Sequence, residues 1–93
     1  MRRASRVDDN QADLVAELRG AGMSVAVTSQ VGHGFPDLVV GYEGRNLLLE
    51  VKDPNKSPSR RKLTPDEVKW HDEWQGTVYV VTTPQEVLEL FDD

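Results

Sequence analysis

Three residues near the middle of the chain have the types and spacing for chemistry. Asp37 closes a glycine- and proline-containing stretch, GHGFPD, and Glu50 and Lys52 end the apolar run LLLEVK. Side chains alternate along a strand, so Leu47, Leu49 and Val51 share one face and Leu48, Glu50 and Lys52 the other. The segments DLVVGY and NLLLEV flank Glu43-Gly44, which reads as a short hairpin turn. A two-residue loop pairs Tyr42 with Arg45 and Val40 with Leu47, and sets Asp37 opposite Glu50. A four-residue loop, Tyr42 to Arg45, keeps that register, whereas a three-residue loop breaks it.

In the favoured register the two carboxylates lie with Cβ atoms about 4.5–5.5 Å apart, at a cost of up to about 1 kcal/mol. A divalent cation would remove that cost. Mg²⁺ favours one or two carboxylates, several waters and a phosphate oxygen. Lys52 lies about 7 Å further along the same face and can reach a water on the metal or a phosphoryl oxygen. The chemistry these parts suit is metal-assisted phosphodiester hydrolysis. The alternative is a surface ion pair, Glu50–Lys52 or Asp37–Lys52, on a solvated sheet face.

The elements that must position these groups are legible in outline. DDNQADLVAELRGAG reads as a helix, capped by Asp8 or Asp9, with a Leu14, Val15, Leu18 stripe and Gly20 and Gly22 at its end. MSVAVTS and TVYVVT alternate as strands. KDPNKSPSRRK, with two prolines, reads as an exposed loop. Thr64-Pro65 with Glu67, and Thr83-Pro84 with Glu86, are capping boxes that open two further helices. The fold class expected is α/β: a central mixed sheet with a hairpin, flanked by helices, in the order α-β-β-β-α-β-α.

Composition sets bounds. The 93 residues form one domain, 1–93, small enough that a homodimer is expected to add burial. The chain has no cysteine, which excludes disulfides and thiolate metal sites and fits a reducing cytoplasm, the host's if the chain is phage-encoded or carried by a mobile element. No apolar run suits a membrane span or a secretory signal. The net charge of −5 argues weakly against a nucleic-acid partner, but basic residues cluster. Arg2, Arg3 and Arg6 suggest a flexible basic arm over residues 1–7. Lys56, Arg60, Arg61 and Lys62 form an acid-free basic stretch that can meet phosphates flanking a cut site, or simply be a solvated loop.

Other residues carry less. His33 could touch a phosphate or be a solvated loop histidine. His71 has no second histidine or cysteine at ligand spacing and reads as structural. Trp70 and Trp74, an i, i+4 pair, read as core. There is no phosphate-binding glycine motif, so no nucleotide cofactor is expected, and no nucleophile turn.

FPDLVVGYEGRNLLLEVK resembles the P-D…(D/E)-x-K signature of the restriction-endonuclease-like nuclease superfamily. The ordered set GFPD, LEVK, KLTPDE and GTVYVVTTPQEVLEL resembles the small virus-type replication–repair nucleases (VRR-NUC) and, next, archaeal Holliday-junction resolvases, over about Asn10 to Leu90. The resemblance implies a restriction-endonuclease-like core, with Asp37, Glu50 and the Val51 carbonyl as ligands to Mg²⁺ or Mn²⁺ and Lys52 as the catalytic lysine. It implies an endodeoxyribonuclease acting on branched DNA such as Holliday junctions or flaps. Two positions depart from the pattern. Gln11 stands where resolvase-like members often carry a metal-binding glutamate; it can ligate without charge or be an exposed helix residue. Glu67 replaces the glutamine after L-[ST]-P and is a possible accessory residue. The competing expectation is a non-catalytic nucleic-acid- or protein-binding module that keeps the fold.

Overall fold

The hairpin folds as its turn dictates. Glu43 and Gly44 both take positive φ, 51° and 78°, the mirror-image turn whose twist matches the flanking strands. The computed structural model describes residues 10–92. The basic arm with Arg2, Arg3 and Arg6, and the proposed caps Asp8 and Asp9, lie outside the described residues. The elements are α1 (Gln11–Gly20), β1 (Ser24–Val27), β2 (Leu38–Tyr42), β3 (Arg45–Val51), α2 (Pro65–Glu73), β4 (Val78–Val81) and α3 (Pro84–Leu90). That is the expected order, with a short 3-10 turn, Pro58–Arg60, added inside the basic loop.

The strands form one sheet in the order β1-β2-β3-β4. The first three are antiparallel, and β4 runs parallel to β3 after the α2 connection. Tyr42 pairs with Arg45, Val40 with Leu47 and Leu38 with Leu49, which is the register expected from a two-residue loop. One face of the sheet carries Leu38, Val40, Leu47, Leu49, Val51 and Val81. These pack with Leu14, Val15 and Leu18 of α1 and Val87 of α3 into the core. Both capping boxes form in full, at Thr64 with Glu67 and at Thr83 with Glu86. Each ties the first turn of its helix to the preceding chain.

The opposite face is different. Val39, Leu48 and Val78 are half-buried there, and Val80 is 49% exposed. At the C-terminal end of β3 this face becomes polar, and side chains of α2 reach over it. No helix among the described residues is long and apolar enough to cross a membrane.

Candidate active site

Asp37 is fixed before it does any chemistry. Its carbonyl accepts the Thr28 N–H at 2.7 Å, and the Thr28 hydroxyl donates to the Pro36 carbonyl, also at 2.7 Å. Its carboxylate Oδ2 accepts the Val51 N–H at 2.8 Å. A buried aspartate thus bridges the end of β1 to the end of β3. Continuing the ladder one step past Leu38–Leu49 sets Asp37 opposite Glu50.

Glu50 is 1% exposed, and Lys52 on the same face is also buried. This end of the strand is therefore not a solvated surface, and the plain surface ion pair does not describe it. Lys52 Nζ lies 3.0 Å from Glu67 Oε1 and 3.7 Å from Glu50 Oε2. The Glu67 oxygen that receives the lysine also accepts the Thr64 N–H of the capping box, at 2.9 Å. One atom therefore joins the start of α2 to Lys52, and Glu67 lies inside the cluster rather than serving the helix alone.

The electrostatics follow from three carboxyl groups around one ammonium. Burial, then the nearby charge of Asp37, pushes Glu50 up to about 10. Burial also raises Asp37, against the lowering effect of its hydrogen bonds to Glu50 and Val51. For Glu67 burial works upward, but hydrogen bonds from Glu50, the Thr64 N–H and Lys52 outweigh it and hold the carboxyl below its ordinary value. Without a cation Glu50 keeps its proton, and Glu67 carries the charge that faces Lys52.

The donor set fits a hard divalent ion completed by water. Among the described residues four buried side-chain polar atoms lack a hydrogen-bond partner: Glu50 Oε1, Gln11 Oε1, His71 Nε2 and Asn10 Oδ1. Unpaired buried acceptors of this kind are what an ion or ordered water satisfies. Among the described residues no group of three or more His, Cys, Asp or Glu side chains is placed to hold a metal ion. Asp37 and Glu50 would therefore be supplemented by neutral oxygens and water, a pattern suited to Mg²⁺.

Gln11 is buried, 4% exposed, and continues the 14, 15, 18 stripe of α1 inward. Its Nε2 donates to Ser29 Oγ at 2.9 Å, which leaves the carbonyl oxygen unpaired. The reading of Gln11 as an exposed helix residue is thus corrected. Asn10, one residue earlier, occupies the cap position without capping. Its amide instead donates to the carbonyls of Lys52 (3.2 Å) and Thr82 (3.0 Å), pinning α1 to the ends of β3 and β4.

Arg60, Arg61 and Lys62 are exposed on the loop that leaves the sheet after Lys52 and returns at Thr64. Lys56 is half-buried in the same loop. From Pro54 to Lys62 the loop is otherwise exposed, as expected; only Lys52 and Asp53 at its start are buried. His33 is exposed and lines a cleft of about 280 Å³ with Asp66, Lys69, Trp70 and Glu73. The loop carrying His33 sits tightly on α2. At Gly34, φ is +84°, and an added Cβ would lie 2.2 Å from the Asp66 carbonyl oxygen.

Sequence reasoning missed how α2 serves this end of the sheet. His71, read as structural, has Nε2 4.0 Å from Glu50 Oε1. Trp70 and Trp74, read as core, stack at 4.6 Å with Trp74 44% exposed, and Phe35 meets Trp70 edge-on. Residues 67, 70, 71 and 74 share one side of a helix. The available signal was thus a capping-box glutamate in phase with His71, although periodicity alone does not say which face it meets.

A solved structure described as a VRR_NUC domain superposes on this chain with a TM-score of 0.59 and 27% sequence identity, over 88% of this chain and 89% of its own. No protein-family model and no curated protein matches the sequence. The chain has a VRR-NUC-like nuclease fold.

Proposed function

We propose that this protein is a Mg²⁺- or Mn²⁺-dependent endonuclease that hydrolyses phosphodiester bonds in DNA. The observation that carries the reading is the buried convergence of Asp37, Glu50 and Lys52 at one end of the hairpin, within a nuclease fold. Asp37 and Glu50, with the Val51 carbonyl and the Gln11 amide oxygen, would hold the ion. When bound, the ion would supply Lewis acidity toward the phosphoryl group and the attacking water. Lys52 stabilises the charge that develops on a phosphoryl oxygen. Glu67 orients Lys52 while anchoring the first turn of α2. Lys56, Arg60, Arg61 and Lys62, with His33 further along the surface, meet the flanking phosphates.

The substrate proposed is branched DNA, Holliday junctions or flaps, cut by a homodimer. The incompletely covered apolar strip of Val39, Leu48, Val78 and Val80 supports the dimer, because a second copy would bury it. The test is a cleavage panel of linear, nicked, flapped and four-way-junction DNA with Mg²⁺ and with Mn²⁺. Asp37→Ala, Glu50→Ala and Lys52→Ala should each abolish cutting in folded protein. Normal cutting by Glu50→Ala, or no cutting of any DNA by the wild type, overturns the reading. The competing binding module is favoured by Gln11 in place of a carboxylate. It requires that calorimetry find no Mn²⁺ binding dependent on Asp37 and Glu50.

A further inference from the structure

We propose that the exposed ring of Trp74 is a stacking platform for an unpaired base of the DNA, so that the site engages strands at a branch in preference to continuous duplex. The proposal rests on the reading of this protein as a DNA endonuclease and deepens it, by naming a group that would tell unpaired strand from paired. Trp74 closes α2 at its C-cap and keeps 44% of its surface exposed. Its ring is nonetheless held in place. Its N–H donates to the Trp70 carbonyl at 3.0 Å, and the Trp70 ring stacks on it with centroids 4.6 Å apart and planes 18° from parallel. Phe35 meets Trp70 edge-on at 5.2 Å. Phe35 stands directly before Pro36-Asp37, so the aromatic row is tied to the loop that carries the first carboxylate of the site. An exposed aromatic stacked on a fixed neighbour is a flat surface already ordered by folding, which lowers the entropy cost of binding to it.

Position and charge select the occupant. On the side of α2 that Trp74 shares, Glu67 meets Lys52 at 3.0 Å and His71 faces Glu50 at 4.0 Å. Trp74 continues this row away from the site. It stands seven residues past Glu67, or about 10 Å along the helix at about 1.5 Å per residue. That span is about three steps of a stacked strand, at about 3.4 Å each. The exposed Arg60, Arg61 and Lys62 precede the N-terminus of the same helix, so Glu67 stands between them and the ring along the chain. The charged groups exposed beside Trp74 are the acids Asp72 and Glu73, and Lys69 is paired to Glu73 at 3.8 Å. They repel a phosphate backbone but not the uncharged face of a base. A base inside duplex is stacked and paired, and extruding it costs energy that an already unpaired base does not require. The ring therefore suits a base from a flap or from the open centre of a junction, with the phosphates of that strand drawn toward Lys52 and the basic loop. Stacking of this kind tolerates any base, because each has a π-face.

The experiment uses the full chain with Ca²⁺ in place of Mg²⁺. The probes are a single-stranded oligo-dT, a flapped duplex and a continuous duplex, each labelled for fluorescence anisotropy. Oligo-dT should quench the tryptophan emission of the wild type. Trp74→Leu should weaken binding of oligo-dT and of the flapped duplex about tenfold, the scale of one base–aromatic stack, and binding of the continuous duplex less than about twofold. Trp74→Phe, which keeps a ring, should recover most of the loss. Val68→Ala, at a residue 45% exposed on the other side of α2, should bind all three probes like the wild type. A loss shared equally by the three probes, no loss in folded Trp74→Leu, or bound oligo-dT that leaves the emission unchanged overturns the proposal. So does a change of oligomeric mass in Trp74→Leu, which would assign the ring to a contact between copies. The wild type alone separates the two levels. If it binds no DNA of any form, the nuclease reading falls and the platform with it. If it binds the flapped duplex with unchanged tryptophan emission, only the platform falls.

Discussion

Replacing Glu50 with glutamine should stabilise the cation-free protein, by an amount set by pH. Glu50 is almost fully buried, and burial, then the charge of Asp37, raises its carboxyl from an ordinary 4.5 to about 10. The folded chain thus holds a proton that the unfolded chain releases. Its contribution to stability is complete below about pH 4.5 and is lost as pH rises toward 10. At about 1.4 kcal/mol per pH unit, the loss reaches at most about 5 kcal/mol by about pH 8. Sharing of the proton with Asp37 and local relaxation reduce this to about 2–4 kcal/mol. Glutamine has no proton to lose, and its amide can donate a hydrogen bond as a protonated acid would. Urea unfolding in EDTA should therefore find Glu50→Gln about 2–4 kcal/mol more stable than wild type near pH 8, and nearly equal to it near pH 4.5. Excess Mn²⁺ should reverse the order, because an ion that displaces the proton stabilises only the wild type. A variant less stable than wild type at both pH values, or a gain independent of pH, refutes the reasoning.

Gly34→Ala should cost more than about 1–2 kcal/mol, because it combines positive φ with a clash against backbone. Thermal melts check the cost, and cleavage should fall with it, since the displaced turn carries the partner of Lys52. Glu67→Ala should lose about 1 kcal/mol from the capping box and more from the stranded Lys52. Glu67→Gln, which keeps the acceptor oxygen, should retain most of the cap in urea melts. Arg60→Ala with Arg61→Ala should lower the slope of log affinity against log salt by about 0.9 per charge removed on duplex arms, measured by fluorescence anisotropy. An unchanged slope would mean that this loop does not meet phosphate.

Legibility in the sequence followed the range of each interaction. The capping boxes and the hairpin are local. Thr64 with Glu67, Thr83 with Glu86, and Glu43-Gly44 each carry their geometry within four residues, and each formed as read. The hairpin then transmitted local information further, because a period of two and a fixed turn leave one register that buries Leu38, Val40, Leu47 and Leu49 together. The placement of α2 was not legible. Whether residues 67, 70, 71 and 74 meet the sheet or solvent depends on how the loop from Asp53 to Leu63 returns, and on the backbone contact at Gly34. Asn10 was illegible for a related reason: it takes the cap position, where Asp8 or Asp9 was expected, yet its amide is taken by carbonyls more than forty residues away.

The two departures from the family-like pattern can be understood as one change. Where resolvase-like chains often carry a glutamate this chain has Gln11, and where the pattern has glutamine it has Glu67. The site therefore keeps its number of carboxyl groups while one of them moves from the first helix to α2. The move has a physical reason in the buried lysine. With Glu50 holding a proton in the absence of an ion, Lys52 needs another carboxylate, and Glu67 supplies it at 3.0 Å. On the proposed reading, an ion that took Glu50 as a carboxylate would leave Lys52 with acceptors on two sides, Glu50 Oε2 at 3.7 Å and Glu67 Oε1 at 3.0 Å, so that the ammonium could shift toward a phosphoryl oxygen without being left unpaired. By this reasoning Glu67 keeps the buried Lys52 paired at the end of β3, where the proposed function would need it held before substrate arrives.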